Sequence, residues 1–149
     1  MPNNPFLIRG GTIQLPFEPP PNPSVPRVVI LDPYAEAVTS YNITWTDLTS
    51  LETVFIVANT VTVGAGSVTI YLPQVGDGNS GYKISIQSMS VDDVIVEPAA
   101  GSAVDGDVAY SQTIKPANGI AAGVITSATY IADNTLAAQW YTLYNYFKI

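Results

Sequence analysis

Between residues 60 and 107, apolar and small polar side chains alternate at a period of two, interrupted by glycine-rich turns. The runs are TVTV at 60–63, SVTIYLP at 67–73 and YKISIQ at 82–87, separated by GAG at 64–66 and VGDGNSG at 75–81. Alternate side chains of a strand point to opposite faces, so this pattern predicts half-buried antiparallel strands joined by tight turns. A segment of this kind specifies a scaffold and leaves little over for chemistry.

Composition narrows the function. The 149 residues contain no cysteine and no histidine. Disulfides, thiolate metal sites and the usual general base are therefore excluded. No apolar run approaches the roughly 18 residues that span a bilayer. The opening MPNNPF lacks the basic region and apolar core of an export signal. Net charge is −7, and the basic residues Arg9, Arg27, Lys83, Lys115 and Lys148 are dispersed, which disfavours nucleic acid. Only 11% of residues are charged, against about 25% in ordinary globular chains. So thin a charged coat predicts that much of the outside is buried in an oligomer or a larger assembly.

Residues 1–33 differ from the rest, holding nine of the 12 prolines. Proline disfavours helices and central strands and favours an extended path. Phe6, Leu7, Ile8, Ile13, Leu15 and Phe17 punctuate this segment, which reads as an anchoring arm docking in grooves of a neighbour. Within it, VVIL at 28–31 reads as a short buried strand. Further strands are expected at 39–45, 53–57, 92–97, 112–115, 124–131 and 139–148. Short strands separated by turns predict an all-β fold, an antiparallel sandwich or jelly-roll-like module over residues 34–149. No internal repeat stands out.

Four elements in order, GSVTIYLP at 66–73, YKISI at 82–86, the segment 94–106 and Trp140 in the last strand, carry a family resemblance. Together they resemble a β module of bacteriophage virion proteins, in which "G-S-V-T-I-x-L-P" precedes "Y-K-I-S-I" and "V-x-V-x-P-x-x-G-x-x-V-D-G". The likeness covers somewhat over half the chain, and residues 1–59 lie outside it. It implies a head-fibre, capsid-decoration or tail-fibre part, frequently trimeric.

Candidate sites were weighed on their chemistry. The turns Asp77-Gly-Asn79 and Asp105-Gly-Asp107 offer hard oxygen ligands of the kind calcium takes. Asp-Gly and Asn-containing turns also recur simply because they accept positive φ, and hairpin turns are the expectation. Asp92, Asp93 and Glu97 read as a solvated strand edge. Lys83 has no evident coupling to Ser85 or Ser88, so no nucleophile is expected. The carboxyl-terminal aromatics split by parity, with Trp140, Tyr144 and Tyr146 on one face. These are expected at core and subunit interface, with sugar stacking as the alternative.

The expectation is a non-enzymatic structural protein with no catalytic residue, metal or cofactor. It is a homotrimer on the surface of a phage particle, made in the host cytoplasm. Its partners are other virion proteins, the major capsid protein first, with no nucleic acid and no membrane. The alternatives are a tail-fibre or adaptor protein binding host glycans, or a free carbohydrate-binding module.

Overall fold

The computed structural model describes residues 25–59, 66–90, 92–116 and 123–147, with side chains described up to residue 143. Nine strands run in chain order: β1 (Arg27–Leu31), β2 (Ser40–Asn42), β3 (Glu52–Val57), β4 (Val68–Leu72), β5 (Lys83–Ser88), β6 (Val94–Pro98), β7 (Gln112–Ile114), β8 (Ile125–Asp133) and β9 (Gln139–Phe147). Two short 3-10 turns accompany them, at Pro33–Glu36 and Trp45–Asp47. The fold is all-β among the described residues.

The strands form a five-stranded sheet, ordered β1-β3-β5-β8-β9, and a four-stranded sheet, ordered β2-β4-β6-β7. From β1 to β6 the chain therefore crosses to the other sheet at every step. Each strand then lies beside the one two places earlier and runs parallel to it: Arg27 pairs with Thr53, Glu52 with Lys83, Ser40 with Thr69 and Val68 with Val94. The first six strands are thus wound as stacked coils, each coil supplying one strand to each sheet. The last three turn back antiparallel: β7 on β6, β8 on β5 and β9 on β8.

This corrects the expectation of purely antiparallel pairing. The alternation of residues 67–73 and 82–87 is present as β4 and β5, yet the glycine-rich turn between them joins two sheets and makes no hairpin. Parallel neighbours need a long crossover, ordinarily a helix. Here the strand of the opposite sheet is the crossover. Period two reports which face is buried and is blind to strand direction, so the sequence pattern fits both arrangements.

Parity does hold. In β3, Thr53, Phe55 and Val57 are buried and Glu52, Val54 and Ile56 are half-buried; β4 buries Val68, Ile70 and Leu72. Register carries this parity across the sheet, aligning Phe55 with Ile86 and Ile86 with Ala128. Both sheets feed one core, which adds Val94, Val96 and Ile114 from the four-stranded sheet and Tyr130 and Trp140 from the five-stranded one. Residues 28–31, placed in the arm on composition, belong to β1 and hence to the five-stranded sheet. The strand expected at 39–45 shortens to Ser40–Asn42, because Trp45 begins a 3-10 turn closed by Asp47. The strand expected at 60–63 and the anchors Phe6, Leu7, Ile8, Ile13, Leu15 and Phe17 lie outside the described residues.

Candidate interaction surface

Winding the chain this way gathers four connections at one end of the sheets: 43–51, 73–82, 99–111 and 134–138. They are sewn together by backbone bonds. Asp105 N–H donates to the Trp140 carbonyl, Trp140 N–H to that of Ala103, and Lys83 N–H to that of Leu51. Two indoles fix the centre of this end. Trp140 Nε1 donates to the Pro73 carbonyl at 2.7 Å, and Trp45 Nε1 to that of Gln74 at 2.8 Å. The rings stack 5.7 Å apart and 11° from parallel, and Tyr82 meets Trp45 edge-on at 5.5 Å. Stacking of this kind adds to the apolar burial that holds the loops down.

Trp140, expected at a subunit interface, is 0% exposed within the single chain and belongs to its core. Its indole N–H is satisfied internally, so the ring has no surface to offer a second copy. The face expected to carry Trp140, Tyr144 and Tyr146 together is split by a register shift between Thr129 and Tyr130: Trp140 lies opposite Ala132 on the inner face, and beyond the shift the parity reverses. Tyr144 and Tyr146 pair through their backbones with Thr129 and Ser127. Their side chains lie outside the described residues. Trp45 and Tyr82 do reach the surface of the loop end, both half-buried, as does Tyr110. Sequence reasoning passed over them because a lone tryptophan between a strand and a turn carries no periodic signal.

The acidic turns are turns. Asp105 adopts a left-handed conformation with φ 51°, and its carboxylate accepts from the backbone N–H and hydroxyl of Thr142. Asp107 accepts from Ala109 N–H, Asn79 from Gly76 N–H, and Asn134 reaches Asp77 at 3.4 Å. These oxygens are committed to backbone and loop partners. No group of three metal-ligating side chains occurs among the described residues.

Asp93 ion-pairs with Lys115. Ser85 bonds Thr129 across the outer face of the sheet at 2.8 Å, and Ser88 bonds the Ser90 carbonyl. Neither serine is presented to Lys83. Tyr110 and Tyr130 share a hydroxyl–hydroxyl bond at 2.8 Å, and burial raises both phenols above their ordinary value of 10.0. A buried phenol, Tyr130, held by a half-buried one is a structural pair.

What the described surface offers instead is the first coil. By register, Val28 lies beside Val54 and Ile30 beside Ile56, all pointing away from the core. Val28 is 59% and Ile30 60% exposed. No described strand pairs with the far side of β1. Beside this aliphatic face a cleft of about 210 Å³ is lined by Ile30, Asp32, Pro33, Glu36, Val38 and Tyr41. An open strand edge bearing an apolar face is a template for another chain. Compared with known proteins, the chain matches no family model and no curated protein.

Proposed function

We propose that this protein is a non-enzymatic structural component of a phage particle. The reading is a capsid-decoration or head-fibre protein, homotrimeric, with its two sheets forming a sandwich that projects from the surface. Residues preceding β1 serve as the anchor to the major capsid protein. The observation that supports it best is the aliphatic outer face of β1 and β3 on a chain only 11% charged. Such a surface suits a protein whose outside is covered by companions. The resemblance of residues 66–106 to virion β modules points the same way.

Particles of the phage that encodes the chain should contain it, and deleting residues 2–24 should leave particles of normal shape that lack it. Mass spectrometry and electron microscopy of purified particles read both outcomes. Wild-type particles without the protein, or particles that keep the truncated form, overturn the proposal.

The half-buried rings of Trp45 and Tyr82 at the loop end favour a second reading, a tail-fibre or adaptor protein that binds host glycans. Aromatic faces stack on sugars as readily as on protein. A glycan array probed with the full chain separates the two, since a decoration protein captures no sugar.

A further inference from the structure

We propose that β1 pairs with β1 of a second copy, antiparallel across a two-fold axis centred on Val29, joining two five-stranded sheets edge to edge. The inference goes beyond the particle reading and does not depend on it: with the trimer proposed above, two-fold pairing of its three edges joins two trimers into a hexamer, and without the trimer it gives a dimer.

The backbone supplies the first reason. Ala58 N–H donates to the Leu31 carbonyl, so the odd residues of β1 turn their polar groups toward β3. In a parallel pair, N–H and C=O of one residue point to the same side, and the next residue points to the other. Val28 and Ile30 therefore present N–H and C=O to the open edge. An antiparallel partner needs pairs of residues that exchange both bonds, alternating with pairs that exchange none. Centring on Val29 makes Val28 and the second copy's Ile30 such an exchanging pair, and the two-fold repeats it. Val29 then falls on the non-bonded position, as the alternation requires.

The side chains agree with the backbone. In this register Val28 lies directly opposite Ile30 on the outer face, and cross-strand aliphatic pairs of this kind stabilise a sheet. The face they extend is uncharged through Val54 and Ile56, so closing it buries no unpaired charge. Pro26 and Pro33 bracket the segment, and proline donates nothing to a ladder. Sliding the pairing toward Pro26 replaces a donor with a ring and loses bonds, which pins the register. A surface that is its own complement is what a two-fold interface demands.

Sedimentation velocity of the full chain tests this directly. The expected species contains an even number of chains. Ile30→Lys sets a cation against its neighbours across the axis and should halve the mass. Ile30→Pro removes only an N–H that faces the open edge, so it should halve the mass too while the folded far-UV spectrum is kept. Met89→Lys, at a position 71% exposed in another connection, should change nothing. A monomer or an odd-numbered wild-type species, or Ile30 variants that fold and keep the wild-type mass, overturns the proposal. Absence of the wild-type chain from particles, with pairing intact, would instead count against the particle reading alone.

Discussion

Two buried hydroxyls set the tone at the level of single residues. Thr53 Oγ1 and Ser102 Oγ are enclosed without a hydrogen-bond partner among the described residues. An unsatisfied buried hydroxyl costs about 1–3 kcal/mol, so removing it with its shape retained is neutral or favourable. Thr53→Val is expected to hold or raise the melting temperature in calorimetry, against the usual direction for a core substitution. Tyr130 behaves oppositely. Burial raises its phenol, and that of Tyr110, above the ordinary 10.0. A folded-state pKa above the unfolded one contributes stability below about pH 10, lost as pH rises past that value. Tyr130→Phe should cost about 1 kcal/mol at neutral pH by breaking the Tyr110 bond. It should also soften the alkaline fall in the urea midpoint, since one fewer buried phenol must ionise.

Within single elements, the 3-10 turn Trp45–Asp47 shows how local chemistry aims a functional side chain. Asp47 Oδ2 accepts from Thr44 N–H at 2.9 Å and from the Tyr41 hydroxyl at 3.2 Å, closing a capping box before Trp45. That cap sets the angle at which the indole enters the loop end. Asp47→Ala is expected to cost about 0.5–2 kcal/mol in urea unfolding. Its near-ultraviolet circular dichroism should weaken, because Trp45 loses the fixed stack on Trp140. The T-x-x-D spacing of Thr44 and Asp47 is plain in the sequence. That the turn aims an indole at another indole 95 positions along the chain was not legible.

For the molecule as a whole, winding order decides stability. β5 is central, with β3 on one side and β8 on the other, whereas β1 has a single described neighbour. Local opening is easiest where fewest bonds and contacts must break. Hydrogen exchange should therefore be slowest at Ile84 and Ile86 and fastest, among the strands of this sheet, at Val28 and Ile30, whose N–H groups face the open edge. Edge pairing with a second copy would protect those two amides as protein concentration rises. Contacts between successive coils are distant in sequence, and such topologies fold slowly because loop closure precedes the contacts that reward it.

Alternation at 67–73 and 82–87 was enough to establish β structure and to assign the inner face of those strands, because burial parity is a property of consecutive residues. Val68, Ile70 and Leu72 turn inward whichever strand lies next to them. The continuous apolar run at 53–57 carries no such signal, and only the structure shows that Thr53, Phe55 and Val57 face the core. Pairing is different. Whether β5 meets β4 as a hairpin mate or β3 as a parallel neighbour depends on where the chain goes between them, and a glycine-rich turn serves either path. The tertiary structure alone settled that β4 and β5 part into separate sheets, that Trp140 lies in the core, and that Val28 and Ile30 stand at an edge with no described neighbour. Those outcomes are fixed by contacts between residues far apart in the chain, which no local pattern encodes.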